Sequence, residues 1–161
     1  MPRAAVLLAS VSLVMALPAT ASDATAAKAV TIRVLVTPVT RTIKDVPPKT
    51  IKLRNEWSKG DTLSGTSILR NAQPQFGKPT GARVGTSRFT DIALSSQMVR
   101  TDAVARFPGG TLHIRGVAPI GPTVKLPVVG GTGIYTGATG VVEGRHLANG
   151  DTLNVCRLQL P

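Results

Sequence analysis

The sequence predicts an all-β protein, an antiparallel barrel or sandwich of about eight short strands. Three observations point there. Past the first residues, no stretch keeps a 3.6-residue apolar period over three helical turns. Val, Ile, Leu and Thr alternate with polar residues instead, in short runs cut by Gly, Pro and Asn-Gly turns. Aromatic residues number only five, so the core must be largely aliphatic.

The elements follow in order. Met1-Pro2-Arg3 is a short basic start, Ala4–Leu17 is an apolar run of 14 residues, and Ala19-Thr20-Ala21 is a small-x-small cleavage pattern. The run is short of the roughly 20 residues that span a bilayer. Residues 1–21 therefore read as a secretory signal, with no transmembrane anchor and a secreted, extracellular mature protein. Residues 22–29 are small and polar and read as a flexible tail, leaving 30–161 as a single β domain.

Val30–Thr37 alternates with period two until Pro38. A second alternating run covers 50–57, and Lys59-Gly60-Asp61 is a turn before a Thr/Ser/Leu strand over 62–70. The Pro- and Gly-rich stretch Asn71–Gly85 reads as loop. A long β run covers about Thr86–Phe107, followed by the turn Pro108-Gly109-Gly110 and a strand over Thr111–Val117. Pro119, Gly121, Pro122 and Pro127 break up the next segment. Tyr135–Gly144 and Thr152–Leu160 are the last strands, joined through Asn149-Gly150, a hairpin signal.

The chain carries 19 Lys and Arg against 8 Asp and Glu, a net charge of +11, or +10 once Arg3 leaves with the signal. Arg33–Lys59 alone holds a net +5 in 27 residues. Such a surface suits an anionic cell-envelope polymer, and this non-catalytic, envelope-associated role is the alternative to a small-molecule function. Nucleic acid is not expected as a partner, because the basic residues are not interleaved with stacking aromatics. The lone Cys156 excludes an intrachain disulfide and any multi-thiolate zinc site. His113 and His146 lack metal-ligand spacing, so neither a metal nor a cofactor is expected.

The most informative segment is Leu126-Pro127-Val128-Val129-Gly130-Gly131-Thr132-Gly133-Ile134-Tyr135, followed by Gly137-Ala138-Thr139-Gly140. As a phosphate loop it fails: it has no Gly-Lys-Ser/Thr ending, Thr136 stands where G-x-G-x-x-G needs Gly, and no helix follows. It reads as a tight glycine turn entering a strand.

The segment resembles the dirigent and allene oxide cyclase-like families, whose hallmark is an apolar PVVGGTG, an aromatic two residues on and a G/A-x-G stretch. Phe107-Pro108-Gly109-Gly110-Thr111-Leu112, Gly116 and Gly60-Asp61 extend the likeness over roughly 50–161. The resemblance implies an eight-stranded antiparallel β-barrel with an internal pocket for a hydrophobic small molecule, often a homotrimer. It implies a steering function, isomerase- or cyclase-like or dirigent-like, in which a reactive intermediate is held while it cyclises or couples. Thr139 stands where dirigent proteins usually carry Arg. Val117 and Ala118 stand where they carry an acidic residue. Both positions handle the intermediate in those proteins.

Candidate catalytic residues are Tyr135, His113, Arg115 and Asp61. Tyr135 pairs an apolar ring with a hydroxyl able to bond a substrate, or packs against the neighbouring glycines. His113 and Arg115 share one face of their strand, opposite Leu112 and Ile114, and either line a pocket as acid/base and anion clamp or form a solvated face. Asp61 matches an early polar position of the families, or serves its turn.

Overall fold

The computed structural model describes residues 27–47 and 56–161. Eight strands follow one another: β1 Lys28–Lys44, β2 Thr62–Asn71, β3 Arg83–Ala93, β4 Met98–Phe107, β5 Gly110–Pro119, β6 Thr123–Gly133, β7 Thr139–His146 and β8 Thr152–Leu160. Each is antiparallel to the next, and β8 returns to β1, so the sheet closes on itself as a barrel. Closure removes both sheet edges.

Several sequence boundaries shift. β1 starts at Lys28, paired with Leu160, within the stretch read as a tail. It also runs through Pro38 to Lys44, because a register shift between Pro38 and Thr40 takes up the missing N–H there. Pro127 likewise sits inside β6, where pairing with β5 has stopped after Val128. The long run at 86–107 is two strands. Leu94–Gln97 forms the hairpin between them, and Ser95 Oγ accepts the backbone N–H groups of Gln97 and Met98 at 3.2 Å. Most of the run read at 50–57 lies outside the described residues, and Glu56 and Trp57 are not in a strand. Tyr135 lies in the turn 134–138, not in β7.

Strand alternation sends one side chain in and the next out. On β5, Leu112, Ile114 and Ala118 are buried, while His113, Arg115 and Val117 are exposed. Ile32, Val34, Leu69, Leu126, Val128, Val142, Cys156 and Leu158 complete much of the aliphatic core.

The two ends of the barrel differ. At one end, Phe107 is stacked on Phe76 with ring centroids 5.9 Å apart, and meets Tyr135 edge-on at 6.2 Å. Phe76 is carried there by the β2–β3 loop, in a left-handed backbone conformation with φ of 56°. Asn71, fully buried, ties that loop down by donating from Nδ2 to the carbonyls of Gln75 (2.8 Å) and Lys78 (3.0 Å). Among the described residues, the other end carries the 94–97 hairpin, residues 120–122 and the 147–151 turn.

The glycines of the 130–133 segment serve the closed end. A Cβ on Gly131 would lie 2.4 Å from Thr111 O and 2.6 Å from Tyr135 O. One on Gly133, whose φ is +62°, would lie 2.0 Å from Gly109 O. The β6–β7 turn and the β4–β5 turn thus touch backbone to backbone, as Ile134 N donating to Gly109 O at 3.0 Å confirms.

Candidate active site in the barrel interior

The interior is hollow. A cavity of about 300 Å³ runs from the Phe107 end toward Ile120, Gly121 and His146 at the opposite end. Most of its wall is apolar: Val34, Val36, Leu63, Leu69, Val99, Ala103, Ala105, Ile114, Val124, Leu126, Val142 and Cys156. Ser67, Ser87, Asp91, Thr101, Asn154, Thr152 and His146 add polar groups, with Arg41 and Trp57 also in the lining.

Asp91 is the one carboxylate in that lining. It is placed by register: β3 and β4 pair so that Asp91 lies directly across from Thr101. Thr101 Oγ1 donates to Asp91 Oδ1 at 2.6 Å. Burial pushes the Asp91 carboxyl above the ordinary Asp value, while the Thr101 hydrogen bond and the charge of His146 pull against it. His146 comes from the end of β7, where Nδ1 lies 2.9 Å from Thr152 Oγ1 and the backbone N–H donates to Pro122 O at 2.8 Å. The interior therefore offers an apolar chamber with one carboxyl kept toward its protonated form. Burial also holds the Cys156 thiol neutral, with its pKa pushed up to about 12.

None of the four residues singled out from sequence lines this cavity. His113 and Arg115 point outward, because their neighbours Leu112 and Ile114 take the interior positions of β5. Arg115 is held outside by Asp102, with Nε to Oδ2 at 2.8 Å. Asp61 is fully buried but ties loop to loop, accepting the N–H groups of Val46 (2.8 Å) and Ser58 (2.6 Å). Tyr135 is 2% exposed, packed on Phe107 with its hydroxyl 3.4 Å from Pro108 O. Its phenol is shifted upward by burial, with a smaller contribution from Cys156. Among the described residues, no group of three His, Cys, Asp or Glu is placed to hold a metal, and no helix is long and apolar enough to cross a membrane.

Asp91 was missed because the 94–97 hairpin was not separated from its strands. Once that turn is placed, Asp91 shares its face with Phe89 and Ser87 and lies opposite Thr101, and an acid on an inward face is a signal.

No protein-family model and no curated protein matches the chain in sequence. Solved structures do match in fold. Pyocyanin demethylase superposes with a TM-score of 0.66 at 19% identity, over 80% of this chain and 99% of that one. Two pterocarpan synthase dirigent proteins superpose with TM-scores of 0.65 and 0.64 at 16% and 18% identity. They cover 93% and 83% of this chain, and 99% and 95% of their own. The fold is that of the dirigent-like barrels.

Proposed function

We propose that this dirigent-like barrel takes an apolar small molecule into its interior and steers its cyclisation or coupling, with Asp91 as proton donor. The observation that carries the reading is a hollow aliphatic chamber with a desolvated carboxyl in its wall. At about 300 Å³ the chamber is at the small end of ligand pockets, which run to about 1,000 Å³. Two of its structural neighbours are named as a synthase of pterocarpans and one as a demethylase of pyocyanin, which agrees with small-molecule chemistry in this fold.

Aliphatic walls hold a flexible or reactive molecule in one folded shape and keep water away from it. In its protonated form Asp91 donates to an oxygen of the bound molecule, and the carboxylate that remains keeps the Thr101 hydrogen bond. The same carboxylate then recovers a proton from the product or from solvent. We place the activity outside the cytoplasm, on the strength of the signal pattern in residues 1–21.

The test is native mass spectrometry of protein purified from its own source. A single co-purifying small molecule is expected. It should be lost in Ala103→Trp, which fills the chamber, and retained but not converted in Asp91→Asn. If Ala103→Trp carries the molecule as well as the wild type does, the chamber is not the site and the reading fails.

A further inference from the structure

The same alternation that builds the chamber builds a second, separate recess on the outside of β3, β4 and β5. It is a cleft of about 530 Å³ lined by Arg88, Phe89, Thr90, Ile92, Arg100, Asp102, Val104 and Arg115, and Phe89 is the residue it shares with the chamber wall. The register explains its layout. Arg88 lies across from Val104, Thr90 from Asp102, Ile92 from Arg100, and Asp102 from Arg115. The cleft thus sets three guanidinium groups around one hydroxyl, one carboxylate and the apolar residues Phe89, Ile92 and Val104.

The charges are not balanced. Asp102 is taken by Arg115, which reaches its Oδ2 from Nε at 2.8 Å and from Nη2 at 2.7 Å. That pair uses two of the five N–H donors of Arg115 and leaves three directed elsewhere. Arg88 and Arg100 have no acidic partner among the described residues. They stand four residues apart along the sheet, about 13 Å at a rise of about 3.3 Å per residue. The contrast with β6–β8 is direct: there Glu143 is flanked by Lys125 and Arg157, and both cations are satisfied.

We propose that this outer cleft is a binding site for an anion carrying two or more phosphate groups, independent of the chamber. Guanidinium forks match phosphate oxygens two at a time, and a site whose cations are all Arg is suited to that geometry more than to a point charge. The separation of Arg88 from Arg100 spans more than one phosphate, and the Thr90 hydroxyl lies between them as a further donor. The Arg115–Asp102 pair fixes the third guanidinium in place.

The experiment is calorimetric titration of the full protein with inorganic tripolyphosphate, and with citrate as a carboxylate of similar charge, at low salt. One saturable site is expected, with tripolyphosphate at least about tenfold tighter than citrate and weakening as salt is raised. Arg88→Gln and Arg100→Gln should each lower the affinity about tenfold, the loss of one charge-assisted contact. Arg145→Gln, an exposed arginine away from the cleft, should leave it within about twofold of the wild type. Unchanged melting temperatures show that the variants are folded. Absence of saturable binding, equal affinity for citrate, or an Arg145→Gln loss equal to that of Arg100→Gln would each overturn the assignment.

Discussion

The thiol of Cys156 offers a quantitative check on the interior. It is 3% exposed, lies on the chamber wall, and has its pKa raised from 9.0 to about 12 by burial. A thiol reacts as thiolate, so a rise of about three units lowers the reactive fraction about a thousandfold near pH 8. Iodoacetamide labelling followed by intact mass, in native buffer and in guanidinium, reads that ratio directly. The native rate should be at least about a thousandfold slower, and should climb about tenfold per pH unit up to pH 10 without levelling off. The same shift acts on stability. Since the folded pKa is the higher one, this contribution is intact below pH 9 and is lost as pH rises from 9 toward 12, by about 4 kcal/mol at the top of that window. Denaturation of the wild type should therefore steepen above pH 9 relative to Cys156→Ala. A native labelling rate within tenfold of the unfolded one would refute the buried, neutral thiol and with it the packing assigned to β8.

Three other outcomes follow from the geometry. Asp91→Asn should raise stability at neutral pH, because the folded protein holds that carboxyl above its ordinary pKa and so loses stability as pH rises through the folded value; chemical denaturation at pH 4 and pH 7 should show the gap between variant and wild type widening with pH. Asp61→Ala leaves the N–H groups of Val46 and Ser58 without their acceptor and should cost about 2–5 kcal/mol in urea melts, while affinity for a chamber ligand stays the same. Gly131→Ala drives a Cβ to within 2.6 Å of two backbone oxygens and should cost about 1–3 kcal/mol or more, read as a drop in melting temperature.

Much of the barrel is visible in the chain itself. The alternation in Val30–Thr37 and the Asn149-Gly150 turn sit where their chemistry requires a strand and a tight turn, whereas the glycines at 130–133, read as a turn, are the end of β6, and the turn follows them at 134–137. What misleads is proline. Pro38 and Pro127 look like breaks, but each sits where the ladder has shifted or ended on one side, and a missing N–H is harmless there. The candidate site was harder to see because inside and outside are properties of closure, not of a strand. The faces of β5 were correctly separated by parity, yet His113 and Arg115 became lining candidates although Leu112 and Ile114 had the stronger claim to a dry interior. Asp91 gains its meaning only from the partners that register brings to it, Thr101 across the ladder and His146 from a strand more than fifty residues away in sequence.

The aromatic cluster of Phe76, Phe107 and Tyr135 brings together the β2–β3 loop, the end of β4 and the β6–β7 turn. Three of the chain's five aromatic rings are gathered in that one knot. The Phe107 ring meets both of the others, so this end of the barrel should come undone as a unit and not strand by strand.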